Sequence, residues 1–130
     1  MTTKNIIITV CIVGLAVVLH EFRFHKEQIF KSKEETRTFT VTAYCSCKIC
    51  CGKWSDGYFA NGEKVGGLAV AAPREILFGT LIDVPGYGIA EVKDRGGSIK
   101  GNRIDVYFDE HETAKKWGVK ELKCKIIRSK

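Results

Sequence analysis

Apolar and polar side chains alternate with a period of two from Thr38 onward, which predicts a strand with one buried face. Further short apolar or alternating stretches, separated by glycines, predict five more strands. In chain order the six predicted strands are Thr38–Ala43, Leu68–Ala71, Thr80–Val84, Ile89–Lys93, Arg103–Phe108 and Lys123–Ile127. Short strands at close spacing indicate a compact β-barrel rather than a parallel α/β sheet.

One helix is predicted at Glu110–Trp117. Asp109 is placed to cap its N-terminus, Glu112 stands at the reciprocal capping position, and Gly118 can end it. The predicted fold class is therefore mainly β, a small six-stranded barrel with one short helix.

An uninterrupted apolar run, Ile6–Leu19, precedes the barrel. As a helix it is about 21 Å long, shorter than the roughly 30 Å hydrocarbon core of a bilayer. Lys4 stands before it and no small-x-small cleavage site follows, so we interpret the run as an uncleaved signal anchor. A buried core helix is the alternative. The predicted segments are a membrane anchor at 1–24, a linker at 25–37 and the barrel at 38–130.

The charge pattern leaves the orientation of this anchor open, because more Lys and Arg follow the apolar run than precede it. The formal net charge of the chain is +6, which suits an anionic membrane or an acidic cell-wall polymer. The basic residues do not form one dense block, so no nucleic-acid partner is predicted.

Two aspartates are candidate catalytic residues. Asp94 lies where a predicted strand runs into a Gly-Gly turn, and Asp105 lies on the polar face of the next strand. If the two strands pair, both carboxylates face one groove, and paired acids suit cleavage of a glycosidic bond. Lys93 and Arg95 oppose a raised pKa at Asp94 unless both point away. The alternative is that Asp94 is a structural turn residue and Asp105 is a salt-bridged surface residue.

The residues between these acids resemble a known signature. The run Asp94-x-Gly96-Gly97-x-Ile99-Lys100-Gly101-x-x-Ile104-Asp105 is similar to that of the 3D domain, named for three aspartates. The domain is a double-psi β-barrel of MltA-type lytic transglycosylases and resuscitation-factor-like cell-wall proteins. Other matching pieces are Thr42–Tyr44, the turn Pro73–Thr80 and Gly86–Gly88, so the resemblance spans Phe39–Ile127.

The resemblance implies a lytic transglycosylase. Such an enzyme cleaves the MurNAc–GlcNAc β-1,4 bond of peptidoglycan without water and leaves a 1,6-anhydro product. Asp94 matches the acid/base, and Asp105 matches the third aspartate, which supports the site. No cofactor is expected, the chain is expected to act as a monomer on glycan strands, and the domain is expected to face outside the cytoplasm, or to be exported if the signal is cleaved.

One position departs from the family pattern. The first family aspartate precedes the Pro of the turn, and here that position is Ala72. A barrel that binds glycan strands without cleaving them is therefore the first alternative function. Glu75 is a conceivable replacement acid.

A dense cysteine cluster gives the second alternative, a zinc-binding protein. Disulfides and a metal site compete as interpretations, because only one CxxC pair is present. The disulfide candidates are Cys45, Cys47, Cys50, Cys51 and Cys124, and the first four are the weak metal candidates. His111 is interpreted as a solvated surface residue.

Aromatic side chains flank this cluster. Tyr44 and Trp54 are predicted to stack on sugar rings, with core packing as the alternative. Together with Gly96, Gly97 and Lys100 of the motif they are the predicted substrate-binding residues.

Overall fold

The computed structural model describes residues 3–29 and 33–128. The chain divides into two compact units, Met1–Ser32 and Lys33–Lys130. Parts of the predicted anchor, linker and barrel segments, namely residues 1–2, 30–32 and 129–130, lie outside the described residues.

The described part of the first unit is one helix, α1, which spans Thr3–Ile29. Within the described ranges, no helix is long and apolar enough to cross a membrane, so the predicted membrane anchor is not supported. The helix extends to Ile29, five residues into the predicted linker.

The second unit is built from short elements. Its strands are β1 (Lys33–Tyr44), β2 (Ala69–Ala71), β3 (Leu81–Val84), β4 (Gly88–Asp94), β5 (Arg103–Tyr107) and β6 (Lys120–Arg128). Its helices are α2 (Lys48–Cys51) and α3 (His111–Trp117), with a 3-10 turn at Gly52–Trp54. All six predicted strands are confirmed, whereas α2 and the 3-10 turn after β1 were not predicted.

The six strands close into one barrel in the order β1-β5-β2-β4-β3-β6. The pairs β1–β5 and β2–β4 are parallel, and the other four are antiparallel. The predicted mainly β, six-stranded barrel is confirmed. However, β4 and β5 do not pair as the sequence suggested, since β2 lies between them.

The barrel interior is filled by the apolar faces of the strands. The alternation predicted for β5 is confirmed, because Ile104 and Val106 are fully buried in the core while Asp105 faces away from it. The largest buried side chains of this core are Phe39, Val41, Val70, Ile76, Ile82, Val84, Val92, Ile104, Val106 and Ile126. A second, smaller cluster of Phe59, Ala69 and Tyr107 lies on the outer side of β2 and β5.

The ends of α3 differ in part from expectation. Its N-cap is Glu110, which makes no side-chain capping hydrogen bond, so the predicted cap at Asp109 is wrong. Gly118 ends the helix with φ of 70°, a conformation that glycine adopts without strain.

The barrel core gives a matched stability prediction. Ile104→Ala removes a side chain with no exposed surface, whereas Ile89→Ala removes one that is 53% exposed on β4. We expect the first variant to lower the free energy of unfolding by about 2–5 kcal/mol and the second by about 0.5 kcal/mol or less. Urea denaturation followed by circular dichroism measures both; equal losses would contradict the core as described.

Candidate functional site

The short strand β2 places the two candidate acids. Ala71 is the register partner of Asp94 on β4 and of Asp105 on β5. The acids therefore stand at one level of the barrel wall, on either side of Ala71. With strands about 4.8 Å apart, their backbones are separated by about 10 Å.

Both acids line one groove with a volume of about 1240 Å³. This exceeds the roughly 300–1,000 Å³ of a small-molecule pocket, so the groove suits a chain rather than a single small ring. The five predicted substrate-binding residues all line it: Tyr44, Trp54, Gly96, Gly97 and Lys100. Its walls come from the loop after β1, the turn after β2 and the Gly-Gly loop after β4.

Three donors converge on the carboxylate of Asp94. The hydroxyl of Tyr44 donates to Oδ2 at 2.5 Å, and the backbone N–H groups of Ala60 and Arg95 donate to Oδ1, each at 2.9 Å. These bonds fix the carboxyl group in the groove and present it as a hydrogen-bond acceptor.

The basic neighbours of Asp94 point away from its carboxylate. Lys93 pairs with Glu63 at 2.5 Å and with Glu91 at 3.6 Å. The guanidinium of Arg95 donates to the carbonyl oxygens of Ala72 and Ile76. Within residues 33–128, no cationic side chain forms an ion pair with Asp94, so the acid is not held as a structural salt bridge.

Asp105 lies in a different electrostatic environment. Its Oδ1 is buried and accepts no hydrogen bond from the described residues. Burial raises its pKa to about 6, against the opposing effects of the nearby Thr42 hydroxyl and the charge of Arg103. The charge of Asp94 adds to the increase. Asp105 therefore holds a proton up to nearly neutral pH.

Tyr44 joins the barrel to this site. It is the last residue of β1, and its ring packs edge-on against Tyr107 at 5.6 Å between centroids. Burial, and then the charge of Asp94, raises the pKa of Tyr44 above its ordinary value. The phenol therefore stays protonated and serves as a donor to Asp94.

The position of the missing family aspartate is apolar in structure as well as in sequence. Ala72 is fully buried against the barrel core, and its N–H donates to the backbone oxygen of Asp94 at 3.3 Å. Glu75 is exposed and lines the groove. The groove thus holds Asp94 and Asp105 without a third acid at position 72.

The cysteines form no disulfide among the described residues, and all six are free. Disulfide pairing is therefore not confirmed. Cys124 is buried on β6 and contacts the Leu122 carbonyl oxygen. Cys51 donates to the Cys45 carbonyl oxygen at 3.2 Å and lines the groove.

His111 was not identified from the sequence as a site residue. Its Nδ1 lies 3.4–3.7 Å from the sulfurs of Cys45, Cys47 and Cys50. The interpretation of His111 as a solvated surface residue is wrong, because the start of α3 lies over the cysteine loop. Sequence spacing gave no signal, since 61 residues separate His111 from Cys50.

The family model of the 3D domain matches residues 67–128, which include β2 to β6 and both acids. The chain carries a 3D domain. Three proteins of Bacillus subtilis (strain 168) are similar to it. The putative cell wall shaping protein YabE is 37% identical over 106 residues, covering 78% of this chain and 26% of that protein.

The cell wall-binding protein YocH is 35% identical over 91 residues, 69% of this chain and 32% of its own length. The SPbeta prophage-derived uncharacterized protein YorM is 35% identical over 102 residues, 72% of this chain and 41% of its own length. The 3D-domain chain thus spans less than half the length of these relatives.

The environment of Asp105 predicts a pH-dependent stability effect. Its folded pKa of about 6 lies above the ordinary value of 3.8, so wild-type stability falls as the pH rises between these values. We expect Asp105→Asn to raise the free energy of unfolding by on the order of 1–2 kcal/mol at pH 7, with little change at pH 4. Urea denaturation at both pH values tests this; an equal effect at both, or a loss confined to pH 7, would contradict it.

Proposed function

We propose that this 3D-domain chain cleaves peptidoglycan glycan strands as a lytic transglycosylase and acts outside the cytoplasm. One observation carries the proposal: a single chain-sized groove holds Asp105, which keeps a proton to nearly neutral pH, and Asp94, which is presented as an acceptor. Glycosidic cleavage needs these two capacities on either side of the scissile bond.

The chemistry follows from this division of roles. Asp105 donates its proton to the glycosidic oxygen as the bond from the sugar C1 to that oxygen breaks. The 6-hydroxyl oxygen of the same sugar attacks C1, and Asp94 receives the hydroxyl proton as the 1,6-anhydro ring closes. No water is consumed. The resemblance assigns both proton transfers to Asp94; the raised pKa of Asp105 favours Asp105 as the first donor.

The groove walls and the relatives support a cell-wall substrate. Trp54 is 69% exposed at the rim and offers a ring face to a sugar. Lys100 adds positive charge to a chain with a net charge of +6, which attracts an anionic polymer. Two relatives are named as cell wall shaping and cell wall-binding proteins.

Digestion of purified murein tests catalysis. We expect the full chain to release 1,6-anhydro-muropeptides, detected by mass spectrometry, with a rate that falls as the pH rises above about 6, because Asp105 loses its proton there. Asp94→Asn and Asp105→Asn should each lower the rate by about 10²–10⁴-fold.

Asp83→Asn is the control, because Asp83 lies on β3 and does not line the groove; its rate should match that of the wild type. The proposed activity would be contradicted if no anhydro products appear, or if Asp94→Asn and Asp105→Asn both cleave at the wild-type rate. If only Asp94→Asn lowers the cleavage rate, Asp94 carries out both proton transfers.

A second candidate function is glycan binding without cleavage. The fully buried Ala72, at the position of the first family aspartate, is the observation that favours it. The groove and its aromatic rim are then retained as a docking surface. Binding to murein without turnover would distinguish this function from the first.

Co-sedimentation with murein tests the shared binding groove. Trp54→Ala removes an exposed ring that lines the groove, whereas Leu77→Ala removes a side chain 71% exposed outside it. We expect the first variant to weaken binding by about 5-fold or more, because truncating an aromatic side chain that contributes to an interface costs upward of about 1 kcal/mol. The second should bind like the wild type. Equal binding by both would exclude Trp54 as part of the glycan surface.

A further inference from the structure

Three thiols and one imidazole nitrogen converge beside the groove. The sulfur of Cys45 lies 3.6 Å from that of Cys50. Nδ1 of His111 lies 3.7 Å from Cys45, 3.4 Å from Cys47 and 3.5 Å from Cys50. All four atoms lie within 4.8 Å of one another, so one metal ion can reach all of them.

These separations match the edges of a zinc tetrahedron. With Zn–S near 2.3 Å and Zn–N near 2.0 Å, tetrahedral angles place two sulfurs about 3.8 Å apart and a sulfur and a nitrogen about 3.5 Å apart. Four of the six separations in the structure, 3.6, 3.7, 3.4 and 3.5 Å, lie close to these values, and the two other sulfur–sulfur separations are within 4.8 Å. The thiol–thiol separation is far from the roughly 2.05 Å of a disulfide bond.

We propose that Cys45, Cys47, Cys50 and His111 bind one Zn²⁺ ion. The three thiols bind as thiolates and release three protons, and the imidazole binds in its neutral form through Nδ1. Three thiolates and one imidazole complete the tetrahedron, so the site is structural rather than catalytic. The proposal does not depend on the transglycosylase activity.

The barrel topology brings these distant residues together. Strands β1 and β5 are parallel, with Tyr44 paired to Tyr107, so both leave the barrel at the same end. The backbone N–H of Phe108 donates to the carbonyl oxygen of Tyr44 at 2.8 Å. This bond holds the segment after β5 against the end of β1. The cysteine loop begins one residue after Tyr44, and α3 begins at His111 shortly after Tyr107.

The local helix α2 arranges the CxxC pair. Cys47 is its N-cap and Cys50 lies in its single turn. The backbone N–H of Cys51 donates to the carbonyl oxygen of Cys47 at 2.9 Å. The sulfur of Cys51 points instead to the Cys45 carbonyl oxygen. The ligand set therefore differs from the four cysteines that the sequence suggested, with His111 in place of Cys51.

The position of the site gives the ion a role. Cys45 directly follows Tyr44, whose hydroxyl holds Asp94, and Cys50 lines the groove. Zinc would join this loop to α3 and fix one wall of the groove. Removing the ion is expected to loosen the loop while the barrel strands remain paired.

Metal content of the full chain, purified under reducing conditions without chelators, tests the site. We expect about one zinc ion per chain by elemental analysis. His111→Ala and Cys47→Ser should each weaken zinc binding, measured by chelator competition, by at least about 10–100-fold, since loss of a residue that only hydrogen-bonds to a metal ligand already costs that much. Co²⁺ added to the metal-free wild type should give the intense visible bands of a tetrahedral site with thiolate charge transfer.

Cys51→Ser is the matched control, because it changes the adjacent cysteine of the same loop; its zinc content should equal that of the wild type. Zinc binding unchanged in His111→Ala, or lost in Cys51→Ser, would overturn the ligand assignment. A wild-type chain that binds neither ion, or whose loop cysteines form disulfides, would overturn the site. The cobalt spectrum decides the case even if a variant fails to fold.

Discussion

Strand β2 is three residues long, yet its two neighbours carry both candidate catalytic acids. It pairs in parallel with β4 and antiparallel with β5, and Ala71 meets Asp94 on one side and Asp105 on the other. Each acid is thereby held by the hydrogen bonds of the closed barrel rather than by a free loop. Because strand spacing is fixed, the separation of the acids is fixed as well, and the turn and loop that follow β2 and β4 supply the groove around them.

The two acids then differ because their surroundings differ. Asp94 receives one phenol and two backbone donors, while Arg95 directs its guanidinium to carbonyl oxygens elsewhere. Asp105 has a buried oxygen without a donor among the described residues, and its pKa rises to about 6. This arrangement costs stability at neutral pH and provides a proton donor next to an acceptor, which is the pattern expected of acid–base sites.

Local patterns in the sequence predicted the elements and most of the groove. Period-two alternation and short apolar stretches between glycines located the strands, and the Asp94–Asp105 motif located residues that do line one surface. Most of the predictions that failed depend on how distant strands pair. No local pattern shows that β2 inserts between β4 and β5, or that parallel pairing of β1 with β5 brings His111 to the cysteine loop. The cap at Asp109 failed because the chain turns into α3 one residue later, at Glu110.

A structure of the full chain bound to a murein glycan fragment tests the central claim most directly. The account predicts a sugar chain running along the groove across Ala71, with a glycosidic oxygen within hydrogen-bond distance of Asp105 and the adjoining 6-hydroxyl near Asp94. A glycan bound to another face of the barrel, or one that contacts only one of the two acids, would contradict it.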